Sequence, residues 1–190
     1  MYRLRPYQQQ AADVAVRYFK DRTATANGIM VLPTGSGKSL VIADIAARLG
    51  APVLVFQPSK EILEQNYAKL CAYDILECAV YSASCNSKAI SRITFATIGS
   101  VKTHVEEFSH FRYVIVDECH LVNPKEGMYR DLFKAIRCKI IGLTATPYRL
   151  YSTRNGAVLR FITNTSPRVF SRLLFFVQIG YLFGQGYLAK

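Results

Sequence analysis

Apolar positions along the 190-residue chain fall into two patterns. Ile29-Met30-Val31-Leu32, Pro52–Phe56, Ala79–Ser82, Ile93–Ala96, Tyr113–Val116 and Lys139–Leu143 are short, nearly continuous apolar runs. Such runs form strands buried on both faces of a parallel sheet. Between them, apolar residues recur at helical spacing. Tyr7, Ala11, Val14, Ala15 and Tyr18 share one face behind Pro6, which suits the first turn of a helix. Further helices are predicted over Leu40–Leu49, stopped by Gly50, from Pro58-Ser59 to about Leu70, and over Glu126–Ile136. Strands alternating with helices of this length predict right-handed βαβ units. The fold class is therefore α/β, a mostly parallel central sheet with helices on both faces. Tyr151–Gly156 reads as a polar loop, and Pro167 to about Gln185 as a C-terminal amphipathic helix followed by Gly186.

Composition narrows the class. Half the residues are hydrophobic (51%) and only 19% are charged, which excludes an intrinsically disordered chain. The five cysteines, at 71, 78, 85, 119 and 138, are odd in number and form no C-x-x-C, which argues against a disulfide scaffold or a zinc site. A reducing, cytoplasmic setting fits that usage. No charged segment followed by an apolar one opens the chain, and the uncharged run 173–189 carries two glutamines and three glycines, so neither secretion nor a membrane partner is expected. The formal charge of +11 is lopsided. Residues 1–131 hold 15 basic and 13 acidic groups, whereas residues 132–190 hold 9 basic groups and no acidic ones. A basic segment of this kind suits a polyanion partner.

Candidate chemistry lies where a predicted strand meets a predicted helix, at Pro33-Thr34-Gly35-Ser36-Gly37-Lys38-Ser39. Glycines at 35 and 37 let backbone N–H groups curl around phosphate oxygens, and the helix that follows adds partial positive charge. Lys38 would reach the outer phosphates and the Ser39 hydroxyl a Mg²⁺ ion. Leu32 stands where the general phosphate-loop pattern has its first glycine. At the end of another apolar strand, Asp117 and Glu118 begin Asp117-Glu118-Cys119-His120. That end of a parallel sheet is where ligand sites sit. Asp117 would hold the metal, and Glu118 would act as general base on an attacking water.

Together these segments resemble the first RecA-like domain of superfamily 2 helicases and translocases of the DEAH/DExH type. Leu4-Arg5-Pro6-Tyr7-Gln8 resembles the glutamine motif, Pro33–Ser39 motif I, and Asp117–His120 motif II. Gln57–Gln65 resembles motif Ia, Ala96–Val101 the next strand-binding element, and Thr144-Ala145-Thr146-Pro147 motif III. The likeness extends over about residues 3–149. The run Thr144–Leu150 and the closing Gly186-Tyr187-Leu188 are similar to bacterial DNA-repair helicases of the RadD type and to restriction-enzyme helicase (Res) subunits.

The resemblance implies a RecA-like ATP-binding domain over residues 1–150, with residues 151–190 a basic linker and helix leading toward a second RecA-like domain. It implies ATP and Mg²⁺ as cofactors, with Gln8 reading the adenine edge and Arg5 or Tyr7 flanking the base. His120 joins the catalytic set, and Thr144 and Thr146 couple hydrolysis to strand movement. Ser59, Lys60, Thr97 and Ser100 would contact nucleic-acid phosphates, DNA rather than RNA. Taken alone, Ser59 is equally a helix N-cap and Thr97 an ordinary turn residue. Arg149 would contact phosphate or only face solvent. The implied function is the motor domain of a DNA helicase or translocase. Two alternatives stand beside it: the helicase subunit of a restriction system, with nuclease or methylase subunits as partners, or a nucleic-acid-binding module without efficient hydrolysis. A P-loop kinase or GTPase has no place for the glutamine motif or for Thr144–Pro147.

Overall fold

In this computed structural model, which describes residues 3–72, 77–136, 138–153 and 156–188, the predicted alternation forms. The chain runs through α1 (Pro6–Lys20), β1 (Gly28–Val31), α2 (Lys38–Leu49), β2 (Val53–Phe56), α3 (Lys60–Cys71) and β3 (Cys78–Ser82). It continues with β4 (Ser87–Lys88), β5 (Ile93–Ala96), α4 (Ile98–Val101), β6 (Tyr113–Val116), α5 (Met128–Ala135) and β7 (Lys139–Thr144). Last come β8 (Tyr148–Thr153), β9 (Gly156–Phe161), β10 (Arg172–Phe176) and α6 (Ile179–Gly184). Eight strands form one sheet in the order β10-β1-β7-β6-β2-β5-β3-β4, parallel except for β4.

Because side chains alternate along a strand, each central strand feeds two apolar layers. Met30, Val55, Phe95, Ile115 and Leu143 pack with Ala11, Ala15, Ile42, Ile45 and Leu63 of α1, α2 and α3. Ile29, Leu54, Phe56, Val114 and Val116 pack on the other face with Phe108, Phe111 and Leu132. Each such buried Val, Leu, Ile or Phe contributes about 1.5–3 kcal/mol. Among the described residues no helix is long and apolar enough to cross a membrane.

The last forty residues differ from the pattern read in the sequence. The single helix expected from Pro167 to Gln185 is strand β10 followed by the six-residue α6. Behind Arg172, Leu173-Leu174-Phe175-Phe176 is a contiguous apolar and aromatic run, and the strand pairs in parallel with β1. Without it, β1 would be a bare edge offering unpaired N–H and C=O groups. The loop expected at Tyr151–Gly156 is instead part of a hairpin in which β8 pairs antiparallel with β9; residues 154 and 155 lie outside the described residues. Helix α5 starts at Met128 rather than Glu126, behind Gly127 at φ 103°.

Candidate nucleotide site

Register places the site. Val31 of β1 lies opposite Thr144 of β7, and the next residue, Leu32, donates its N–H to the Thr144 carbonyl at 2.9 Å. Phe56 of β2 lies opposite Val116 of β6 and Ala96 of β5, and Asp117 donates its N–H to the Phe56 carbonyl at 3.0 Å. β1 and β7 therefore end together, β6, β2 and β5 end together two residues short of them, and the segments 33–39, 59–60, 97–100, 117–120 and 144–146 all leave the sheet along its carboxyl edge.

The loop Pro33–Ser39 turns from β1 into α2. Gly37 caps the helix in the left-handed region, at φ 78°, and a Cβ there would come within 2.4 Å of Gln8 Nε2, so glycine is required twice over. Lys38 and Ser39 begin the helix. The loop is held from below. Tyr7 OH and Gln8 Nε2 both donate to the Ser36 carbonyl at 2.7 Å, and Gln8 Oε1 accepts from the Arg5 N–H at 2.8 Å. Gln8 and Tyr7 are consequently buried behind the loop, while Pro33, Thr34, Gly35 and Ser39 stay at or near the surface. Ser36 is buried with its hydroxyl oxygen unpartnered.

Facing the loop, a polar chain runs through three segments. Lys38 Nζ lies 3.1 Å from Glu118 Oε1. Glu118 Oε2 lies 3.3 Å from His120 Nδ1, and that nitrogen lies 2.9 Å from Thr144 Oγ1. Thr144 Oγ1 in turn accepts the Thr146 N–H at 3.0 Å. Glu118 sits in the left-handed region at φ 48°, a conformation that costs a non-glycine residue about 1 kcal/mol and turns its carboxylate toward Lys38. Asp117 is 5% exposed. Its Oδ2 accepts from Asn66 Nδ2 at 3.4 Å and its Oδ1 from the Glu118 N–H at 3.0 Å. Burial pushes its carboxyl up to about 6, with the Glu118 charge adding and Lys38 opposing.

This donor set suits a hydrated divalent cation held partly by phosphate oxygens. Asp117 is a desolvated carboxylate that a cation would stabilise, and Ser39, in the first turn of α2, supplies a hydroxyl. Among the described residues no three His, Cys, Asp or Glu side chains cluster to cage a metal alone. A cavity of about 270 Å³ adjoins Asp117 and is lined by Pro58, Ile98, Leu121, Met128 and Tyr129. A wider concavity, about 1040 Å³, lies elsewhere, among Arg22, Arg112 and Lys139 near the amino ends of β6 and β7, and shares no residue with this cluster.

The remaining candidates occupy the neighbouring strand ends. Ser59 caps α3, its Oγ accepting from the Ile62 N–H at 3.4 Å, and Lys60 pairs loosely with Glu64 at 3.7 Å. Thr97 Oγ1 lies 3.0 Å from Ser100 Oγ and 3.2 Å from Ser82 Oγ, and Ser100 Oγ accepts the Ala83 N–H at 2.9 Å. Arg149 donates to the Val122 carbonyl. Two participants were not assigned to this site from the sequence. Asn66 reaches Asp117 across 51 positions, and only its place on the helix after motif Ia hinted at it. The turn after α6 also arrives here, with Leu188 against Gly35.

Residues 1–149 match the family described as "Type III restriction enzyme, res subunit". The chain is 31% identical over 149 residues to the DNA 3'-5' translocase XPB2 of Sulfurisphaera tokodaii, covering 77% of this chain and 31% of that protein. It is 31% identical over 172 residues to the DNA 3'-5' helicase XPB of Mycobacterium tuberculosis, covering 85% of this chain and 29% of that one. The chain thus spans under a third of the length of these relatives. Its fold is shared, at TM-score 0.71 and 18% identity, with a nuclease-deletion mutant of the Type ISP restriction-modification enzyme LlaGI in complex with a DNA substrate mimic. That match covers 100% of this chain and 21% of LlaGI. The match over residues 1–149 shows that the chain belongs to the res-subunit family, and with its phosphate loop and acidic pair at the strand ends it is a RecA-like domain of superfamily 2.

Proposed function

We propose that the chain is the ATP-binding motor domain of a DNA helicase or translocase. The observation that carries this reading is the unbroken polar chain Lys38–Glu118–His120–Thr144, which joins the phosphate loop to the segment before Pro147. A change at the phosphates can thereby be felt at Thr144 and Thr146 without any long-range wire. Lys38 neutralises outer-phosphate charge, Glu118 takes the proton of the attacking water, and His120 holds the Glu118 carboxylate in place while reporting to Thr144. Ser39 and Asp117 would hold Mg²⁺, which would supply charge neutralisation on the phosphates. Ser59, Lys60, Thr97 and Ser100 line the strand ends beside this site and are suited to phosphate oxygens of DNA.

Relatives several times longer than this chain, named as DNA translocases and helicases, support a second RecA-like domain that completes the ATP site. A charge-stabilising arginine from such a domain is worth about 10³–10⁵ in rate, so residues 1–190 alone should bind nucleotide and turn it over slowly. Within the res-subunit family, service to a restriction nuclease is the second reading, and the family match favours it. The test is ATPase activity of the full-length protein with and without DNA. Lys38→Ala should abolish the DNA-stimulated rate, and a variant that kept it would refute the motor reading.

A further inference from the structure

The motif Gly186-Tyr187-Leu188 has no role so far, yet it touches the candidate nucleotide site at three points. The Arg5 guanidinium carbon lies 4.7 Å from the Tyr187 ring centroid, and Arg5 Nη1 donates to the Tyr187 carbonyl at 2.9 Å. The Tyr187 ring lies 5.5 Å from the Tyr7 ring, tilted by 43°. A Cβ built on Gly35 would come within 2.9 Å of Leu188 Cδ2, so Leu188 rests directly on the phosphate loop.

The turn that delivers these residues is built rather than trailing. Gly186 takes φ 66°, its N–H donates to the Phe183 carbonyl at 3.0 Å, and the Tyr187 N–H donates to the Leu182 carbonyl at 2.8 Å. This paired closure ends a helix and fixes the direction of the chain beyond it. Leu182, fully buried, anchors the helix that carries the turn.

Burial then decides which ring can meet a base. Tyr7 is 3% exposed and its hydroxyl is committed to Ser36, so its ring lies behind the phosphate loop. Gln8 is equally buried, with its carbonyl and amide ends bonded to Arg5 and Ser36. Tyr187, half-buried, is the next ring outward, and it lies flush with Arg5. Arg5 and Tyr187 already touch, so a base packs on the outer side of the pair and not between its members. We propose that Tyr187 is a base-stacking residue of the nucleotide site, its ring backed by the Arg5 guanidinium and its outer side offered to the purine. The turn Gly184–Leu188 is then one wall of the ATP pocket. Nucleotide occupancy is felt by the chain that follows α6 as well as by motif III.

This inference rests on the reading of Pro33–Ser39 as an ATP site, and the experiment separates the two. Calorimetric titration of the full-length protein with Mg·ADP and with Mg·pyrophosphate isolates the contribution of the adenosine moiety. Aromatic stacking of one base is worth about tenfold or more in affinity. Tyr187→Ala should weaken ADP about tenfold and leave pyrophosphate unchanged, while Tyr187→Phe should bind both as the native protein does. An unchanged or tighter ADP affinity in Tyr187→Ala overturns the stacking role, the tighter one making Tyr187 a plug. Equal losses for ADP and pyrophosphate, or a lowered unfolding temperature shared by Tyr187→Phe, overturn it as well. Failure of the native protein to bind either ligand refutes the ATP reading, and this inference falls with it.

Discussion

Two stretches of the same sheet edge are built differently. Around the ends of β1, β6 and β7, side chains meet partners of opposite character: Lys38 with Glu118, Glu118 with His120, His120 with Thr144, and Asn66 with Asp117. Around the ends of β2 and β5, the polar groups are hydroxyls engaged with backbone or with one another, at Ser59, Ser82, Thr97 and Ser100. The first stretch holds a strained Glu118 and a desolvated Asp117, costs that packing alone would not select. The second stretch stabilises its own turns with the groups it would offer a ligand. Chemistry is therefore legible from geometry on the nucleotide side. On the strand side the structural and functional roles of one hydroxyl coincide.

Substitutions can break that contrast. Glu118→Gln should have the largest effect, lowering DNA-stimulated turnover by about 10²–10⁴-fold with ADP affinity retained, measured as steady-state phosphate release and titration. His120→Ala removes the link from Glu118 to Thr144. The ratio of DNA-stimulated to basal ATPase should fall by roughly 5–150-fold, the range of a 1–3 kcal/mol coupling.

Asp117 tests the electrostatic cost directly, in EDTA so that no divalent ion offsets it. Its folded-state carboxyl is raised to about 6 from 3.8, so the folded protein binds the extra proton between these values. Its ionised form therefore opposes folding. The penalty is absent below about pH 4, grows as pH rises, and is complete above about pH 6, at roughly 3 kcal/mol. Asp117→Asn should raise the unfolding free energy at pH 7 by an amount of that order, and the gain should disappear by pH 4. A gain independent of pH would show that burial of charge is not the cause.

On the strand side the expected effects are small and separable. Ser59→Ala should cost about 1 kcal/mol in chemical denaturation through the lost cap. Lys60→Ala should leave stability unchanged, since its exposed pair with Glu64 contributes little. It should weaken DNA binding modestly and reduce the slope of log affinity against log salt by about one, read by fluorescence anisotropy. If Lys60→Ala leaves the salt slope untouched, Lys60 at the start of α3 makes no phosphate contact and the contrast between the two stretches sharpens into a division of labour.

Charge composition suggested something broader than this. The segment 132–190 carries nine basic groups and no acidic ones, yet Lys139 donates to the carbonyls of Tyr18 and Phe19, Arg149 to that of Val122, and Arg160 lies over the Tyr151 ring. Several of these cations serve the fold's own backbone and rings, so net charge overstates what is free to meet a polyanion.

The sequence by itself determined whatever is contiguous. Alternating apolar runs set the α/β sheet, Gly35-Ser36-Gly37-Lys38-Ser39 set the phosphate loop, and Asp117-Glu118-Cys119-His120 set the acidic pair, because each depends on residues within a few positions of one another. Only the tertiary structure decided what depends on partners far along the chain. Strand β10 needs the open edge of β1, more than 140 positions earlier, before its apolar run prefers a strand to a helix. His120 meets Thr144, Asn66 meets Asp117, and Tyr187 meets Arg5 across 24, 51 and 182 positions, because the carboxyl ends of parallel strands lie on one edge of the sheet and bring their loops together. Even Tyr7 and Tyr187 are told apart only by burial: the fold turns one ring in behind the phosphate loop and leaves the other beside Arg5 at its rim.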